Sequence, residues 1–198
     1  MIALLIVANS RPAYLAQVLD SLPLLHPAHM FIQNDDEHAG MAANIQLGWQ
    51  RALEAPWDYL LHWEDDMVLL RKPPLQVIAN TLYMNPQVAN IILKRQPWND
   101  LEQQLGCVHE AIRVSAATHI QHWPTATHDG WGEHDHIFSL NPCLIPRHIV
   151  ERGWPVGNEA EATAKLLADE YTFGVWGQPY DDPYIEHIGQ ERGPGWRL

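Results

Sequence analysis

The sequence predicts an α/β fold with a mostly parallel central sheet, formed as a single domain over residues 1–198. Strand-length apolar runs alternate with segments of helical periodicity through the first half of the chain. Those runs are apolar at successive positions, which is typical of strands covered on both faces. With 46% hydrophobic residues in 198, the chain can bury one sizeable core.

The first half has the order strand–helix–strand–helix–strand–helix–strand, which is typical of parallel sheets. Proline favours the first turn of a helix, so Pro12 and Pro73-Pro74 mark two helix starts. The predicted elements are strand 2–7, helix 12–22, strand 29–33, a helix from Gly40 to Pro56, strand 58–63, a helix from Pro73-Pro74 through Leu82, and strand 88–93.

The second half, about residues 96–198, is less regular. It contains a short predicted helix at 100–106, a His- and Trp-rich stretch with little periodicity, a helix at 159–168 capped by Asn158, and a strand at 171–176. A strand-like segment at 137–145 contains Pro142, which cannot donate to a ladder, so an edge or bulged strand is expected there. No linker indicates a domain boundary.

Charge and composition exclude some functions. The formal net charge is −12, from 24 acidic and 12 basic residues, and this disfavours duplex nucleic acid while leaving a modified base open as a substrate. The apolar segment Met1–Val7 is too short to span a membrane and lacks the features of a signal peptide. Cys107 and Cys143 show no metal-binding spacing, so we expect buried thiols, no integral membrane segment and a cytoplasmic location.

The sharpest local feature is the acidic triplet Glu64-Asp65-Asp66. It directly follows an apolar strand, which places it at the carboxyl end of the sheet, where open α/β folds bind ligands. Clustered carboxylates repel one another unless a cation neutralises them, and a divalent ion can bridge carboxylates to phosphate oxygens. An acidic turn that only precedes the next helix is the alternative.

Five stretches of the sequence resemble the GT-A glycosyltransferases, particularly the broad family-2-like group. LLIVANSRPAYLAQVLDSL is similar to that group's first strand, loop and helix. NDDEHAGMAANIQLGWQRALEAPWDYLLHWEDDMVLL is similar to its path from the second strand to a DXD-type motif. FSLNPCLIPRHIVERGWP, NEAEATAKLL and EHIG are similar to its acceptor-side strand, helix and late His segment.

The resemblance implies a GT-A fold with a nucleotide-sugar-binding half at about 1–95 and an acceptor-binding half at about 96–198. It implies a glycosyltransferase that moves a sugar from a nucleotide-diphosphate sugar to an acceptor hydroxyl, with Mn²⁺ or Mg²⁺ as cofactor and with inversion preferred. Asp66 and His187 would bind the metal, and Glu64 would have a lesser role. The implied donor-binding residues are Ala8, Asn9, Arg11, Asn34, Asp35 and Asp65.

The catalytic base is less clearly marked. An inverting transferase needs a carboxylate to accept the proton of the acceptor hydroxyl. Glu159 is the first candidate and Asp135 the second. The alternative is that Glu159 and Glu161 only favour a helix N-terminus electrostatically.

The segment 128–136 has two interpretations. Its His, Asp and Glu side chains could bind zinc or another transition metal, but a His-X-His pattern on a loop is weak evidence. Within the glycosyltransferase resemblance, Trp131, Glu133 and His134 would instead shape the acceptor pocket.

Two other functions remain open at this point. A sugar nucleotidyltransferase also uses carboxylate-bound metal, but its first loop is normally rich in glycine, unlike Asn9-Ser10-Arg11-Pro12. A non-catalytic carbohydrate- or nucleotide-binding module would keep the aromatic residues without needing Asp66 and His187 together.

Overall fold

The computed structural model describes residues 1–115, 130–155, 157–179 and 181–189. Apolar strands and amphipathic helices alternate through the first half, as the sequence predicts. The helices are α1 (Pro12–Ser21), α2 (Met41–Leu53), α3 (Leu75–Met84), α4 (Asp100–Leu105), α5 (Val108–Ser115), α6 (Arg147–Val150) and α7 (Glu159–Ala168). The strands are β1 (Ile2–Ala8), β2 (His29–Asn34), β3 (Tyr59–Glu64), β4 (Met67–Leu69), β5 (Val88–Leu93), β6 (Trp131–His134), β7 (Cys143–Pro146), β8 (Thr172–Trp176) and β9 (Ile185–His187).

The described strands form one seven-stranded sheet in the order β2-β1-β3-β7-β5-β8-β6 and a small sheet of β4 and β9. β1 pairs in parallel with β2 and with β3, and β5 pairs in parallel with β8. β7 and β6 run in the opposite direction. Five strands of the large sheet therefore share one direction, which confirms the predicted α/β fold with a mostly parallel sheet.

Apolar cores cover both faces of the large sheet, which explains the continuous apolar strands. Along β1, Leu5 and Val7 pack with Trp49 of α2, while Leu4 and Ile6 lie in the other core with α1 and α3. Alternate side chains of a strand point to opposite faces, so a strand covered on both sides must be apolar at every position. No helix within the described ranges is long and apolar enough to cross a membrane.

The prediction for 137–145 is wrong in its position. The strand is β7, it begins only at Cys143, and it lies between β3 and β5 in the middle of the sheet. Pro142 precedes the strand, so its missing N–H costs no ladder bond, and its carbonyl accepts a hydrogen bond of 2.8 Å from the amide of Leu93. The central place is possible because the proline lies just outside the strand.

The small sheet is not predicted by the sequence, because strands of three residues carry little periodicity. In its antiparallel ladder Met67 is paired with His187, and Leu69 with Ile185. The ladder joins the segment after the acidic triplet to a segment more than a hundred residues later. It therefore determines which late residues lie beside the triplet.

Three buried histidines make stability depend on pH. Burial lowers the pKa of His62 and of His134 to about 3, and that of His109 to about 4. Between those values and the ordinary histidine pKa of about 6.5, the unfolded chain binds more protons than the folded protein. The free energy of unfolding should therefore fall as the pH is lowered below about 6.5, by about 1.4 kcal/mol per pH unit for each histidine.

Urea unfolding at about pH 7.5 and at about pH 5 measures this effect. His62→Leu removes one of the ionisable groups, so its stability should change less between the two conditions. A pH dependence of stability as steep in His62→Leu as in the wild-type protein would contradict the assignment of His62 as buried and neutral.

Candidate functional site

The site lies where β1 and β3 end. The two strands are parallel neighbours, with Val7 paired to Glu64, so the segments that follow them emerge side by side. Arg11 comes from the segment after β1, and Asp65 and Asp66 follow β3 directly. The apolar strands thus bring a basic group and two acidic groups together at the carboxyl edge.

Arg11 neutralises both aspartates. Its guanidinium donates to Asp65 from Nη2 and, at 3.2 Å, from Nε, and its Nη1 lies 2.8 Å from Oδ2 of Asp66. The amide of Asn9 donates to Asp65 Oδ2 at 3.0 Å. Burial alone would lower the pKa of Arg11, but the hydrogen bond to Asp65 and the charge of Asp66 outweigh it, so the pKa is raised. Both carboxylate oxygens of Asp65 thus accept hydrogen bonds, whereas Arg11 contacts Asp66 at Oδ2.

Asp66 also faces His187. The imidazole Nε2 lies 3.6 Å from Asp66 Oδ2. The amide of Ile188 donates to the Asp66 carbonyl at 2.8 Å, and a Cβ at Gly189 would overlap the Asp66 carboxylate. The chain after β9 therefore passes directly over Asp66, and glycine permits this close approach.

Backbone and ring contacts fix the position of His187. The side-chain amide of Gln96 accepts from the His187 amide at 2.9 Å and donates to its carbonyl at 3.0 Å. The indole of Trp98 lies with its centroid 3.8 Å from that of the imidazole. Burial lowers the pKa of His187 although Asp66 opposes the shift, which favours a neutral ring able to bind a metal. Its Nδ1 is buried without a hydrogen-bond partner in the part of the chain that the structure describes.

The segments after β1 and β2 are tied together by polar contacts. Asn34 Oδ1 accepts from the amide of Ser10 at 2.8 Å. The Asp35 carboxylate accepts from the amides of Ala39 and Gly40 at 2.7 and 2.9 Å, which shapes the turn before α2. The side chain of Asn9 is buried, and neither its amide nitrogen nor its oxygen has a hydrogen-bond partner among the described residues. Donor binding by Asn9, Asn34 and Asp35 stays a prediction.

Glu159 lies within electrostatic range of Glu64, the first residue of the acidic triplet. Burial, followed by the charges of Asp66 and Glu159, raises the pKa of Glu64 well above its ordinary value. Burial also raises the pKa of Glu159, although the amide of Leu140 and the hydroxyl of Ser139 donate to its Oε1 at 2.6 and 3.2 Å. The fold thus brings the first base candidate, from the start of α7, within electrostatic range of the triplet.

The sequence did not single out a buried ion pair behind His187. Arg95 donates to the two carboxylate oxygens of Glu102 at 2.6 and 2.9 Å. Glu102 also accepts from the amide of Trp98 at 2.7 Å and from the side chain of Asn99 at 2.9 Å. Asn99 caps α4 by accepting from the Glu102 amide. An Asn followed three residues later by Glu at a predicted helix start was the available signal.

Glu102→Ala should destabilise the protein by about 3 kcal/mol, because it leaves the buried Arg95 charge unpaired. Glu151→Ala is the matched control, since it removes an exposed i,i+4 partner of Arg147 and should cost less than about 1 kcal/mol. Urea unfolding of the two variants measures the difference. Equal losses would show that the buried pair does not stabilise the folded state.

The acceptor residues predicted from 128–136 lie on β6, at one edge of the large sheet, and acceptor binding by them stays a prediction. Trp131 lies opposite Trp176 at the carboxyl end of β8, but Glu133 and His134 are paired farther from that end. Glu133 accepts from the hydroxyl of Thr172, the first residue of β8. His134 is buried against Phe173.

Asp135 follows β6 and is half-buried. His128 and Asp129 lie outside the described residues. Within the described ranges, no group of three or more His, Cys, Asp or Glu side chains is placed to hold a metal ion. The interpretation of 128–136 as a second metal site therefore stays a prediction.

Comparisons with solved structures show a similarity of fold. No protein-family model matches the chain, and no curated protein matches it. The fold is similar to a crystal structure of a mutant of Drosophila β-1,4-galactosyltransferase 7 in complex with manganese, UDP-Gal and xylobiose. The two are 16% identical with a TM-score of 0.46, and the match covers 96% of this chain and 71% of the other. The function must therefore be argued from the residues of the site.

Proposed function

We propose that the protein is a metal-dependent glycosyltransferase that moves a sugar from a nucleotide-diphosphate sugar to an acceptor hydroxyl, with inversion. One observation carries the proposal: Asp66 and His187 face each other at 3.6 Å at the carboxyl edge of the sheet, although they are distant in sequence. Ligands of open α/β folds bind at this edge. A carboxylate beside a neutral imidazole is a suitable start of a metal site there.

The residues present fit Mn²⁺ better than Mg²⁺. Mg²⁺ prefers oxygen ligands alone, whereas Mn²⁺ also accepts imidazole nitrogen. Asp66 would provide an oxygen and His187 its Nε2. Arg11 can keep its contacts with Asp65 if its contact with Asp66 is released. A bound ion would supply positive charge that stabilises the departing diphosphate.

The donor would occupy the segments that follow β1 and β2. Ala8 ends the first strand and Asn9 follows it, and both would line the nucleotide pocket, with Asn34 or Asp35 beside the base. Asp65 would face the ribose, because Arg11 and the Asn9 amide already fix its carboxylate. Arg11 contacts Asp65 and Asp66 and would also contact the diphosphate.

The acceptor step needs one base. The acceptor oxygen would attack the anomeric carbon and form the new C–O bond, while the bond from that carbon to the diphosphate oxygen breaks. The electron pair of the broken bond leaves with the nucleoside diphosphate, and the hydroxyl proton passes to Glu159. Its raised pKa suits proton acceptance. Asp135 remains the second candidate.

Thermal stabilisation by a panel of nucleotide sugars, with and without Mn²⁺, tests this proposal. We expect one donor to stabilise the protein only when Mn²⁺ is present, and free nucleoside diphosphate to be released when an acceptor is added. Release of pyrophosphate would instead indicate a nucleotidyltransferase. Binding without metal and without release would indicate a non-catalytic module.

A further inference from the structure

A cavity of about 270 Å³ lies beside Glu159, between α4, α5 and the segment 136–141. Its size is just below that of typical small-molecule pockets, roughly 300–1,000 Å³. Glu159 is within electrostatic range of Glu64, and Glu64 of Asp66. The cavity is therefore lined in part by the first base candidate.

One end of the cavity is polar. Ser139, Asn141 and Glu159 line it there, and the Asn141 side chain donates to the Ser139 hydroxyl at 2.9 Å. That hydroxyl donates to Glu159 Oε1 at 3.2 Å. These groups can receive one hydroxyl of a ligand and accept its proton.

The cavity offers little attraction to an anion. Arg95 lines it, but its guanidinium donates to both oxygens of Glu102 and to Asn141 Oδ1. The Arg95 charge is therefore neutralised inside the protein. Glu159 would also repel a negative ligand when it is ionised. A neutral occupant fits best.

Asn99 and Glu102 also line the cavity, but Asn99 donates to Glu102, and Glu102 accepts from Arg95. The rest of the described lining is His136 and apolar side chains. Ile92, Val108, Ala111 and Ile112 are buried and line it from β5 and α5, and Leu101 of α4 lines it while being 40% exposed. A polyhydroxylated sugar would leave hydroxyls without partners against these apolar side chains, which weakens its binding. A molecule with an apolar body loses nothing there and gains from burial.

We propose that this cavity binds the acceptor as a neutral, hydroxyl-bearing molecule with a small apolar body, such as a phenol, whose hydroxyl lies toward Glu159. The assignment of this ligand as the acceptor rests on the proposed transferase function. The acceptor pocket is then formed by α4, α5 and 136–141, and not by Glu133 and His134.

The ligand class is tested by measuring the binding of para-ethylphenol to the full chain. Ligand-observed NMR detects this binding in the absence of the donor. Methyl glucoside is the polyhydroxylated comparison. We expect para-ethylphenol to bind and the glucoside to bind at least about tenfold more weakly. Tighter binding of the glucoside would overturn the proposed class.

Ala111→Phe tests the location, because the added ring fills the cavity from α5. We expect it to weaken para-ethylphenol binding by at least about tenfold. Ala164→Phe, on the exposed face of α7, is the matched control and should bind as the wild type does. Ile137→Asn makes the lining polar without adding volume, so it serves if Ala111→Phe does not fold. Unchanged affinity in a folded cavity variant would overturn the proposal.

Stabilisation by a Mn²⁺–nucleotide mixture separates this proposal from the transferase function. The cavity variants should keep that stabilisation, because they lie outside the Asp66–His187 pair. If wild-type protein shows no such stabilisation but binds para-ethylphenol in an Ala111-dependent way, the transferase function fails and the cavity ligand stands. If the wild-type protein shows the stabilisation but does not bind para-ethylphenol, the cavity proposal fails and the transferase function stands.

Discussion

Asp66→Asn should abolish metal-dependent stabilisation by the nucleotide donor and lower the rate of sugar transfer by at least about a hundredfold. The amide removes the negative charge that a divalent ion needs while keeping nearly the same volume. Arg11 keeps its bonds to Asp65, and the backbone bond from Ile188 to residue 66 does not use the side chain. The fold should therefore persist, with a near-normal unfolding midpoint without metal.

Asp20→Asn is the control for this charge change, since Asp20 is an exposed residue of α1. It should leave the metal-dependent stabilisation unchanged. Full transfer activity in Asp66→Asn would show that the metal is held elsewhere or is not required.

Glu159→Gln should lower the turnover rate by about 10²–10⁴-fold while donor binding is retained. The glutamine oxygen can still accept from the amide of Leu140, so α7 should keep its position. In the wild-type protein the pKa of Glu159 is raised by burial, so the rate should fall as the pH is lowered through that raised pKa. The variant should lose this acid limb of the pH–rate profile.

Glu161→Gln is the matched control for Glu159→Gln. Glu161 lies in the same first turn of α7, but it is exposed, and its known contact is from its backbone amide to the Asn158 side chain. If both variants lose activity equally, the helix N-terminus matters electrostatically and Glu159 is not the base. If neither loses activity, Asp135 becomes the candidate to test next.

Local sequence patterns predicted most of the regular structure. The helix at 159–168 matches α7, and Asn158 caps it by accepting from the amides of Ala160 and Glu161. Capping and periodicity act within a few residues, so the sequence displays them directly. The same holds for the apolar strand before the acidic triplet.

Contacts between distant segments could not be predicted in this way. The central place of β7 depends on pairing with β3 and β5, which lie far from it in the chain, and such pairing leaves no periodic signal. The positions of Glu133 and His134 met the same limit, because the register of β6 on β8 decides where those side chains lie. Acceptor binding by them stays a prediction.

The sequence by itself determined the α/β class, the order of its main elements and the acidic triplet at the end of a buried strand. Short-range hydrophobic patterning and turn chemistry suffice for these. Only the tertiary structure decided that Arg11 neutralises Asp65 and Asp66, that His187 faces Asp66 across the β4–β9 ladder, and that Glu159 borders an apolar cavity. These are electrostatic and packing relations between segments far apart in the chain, and they exist only once the sheet is assembled.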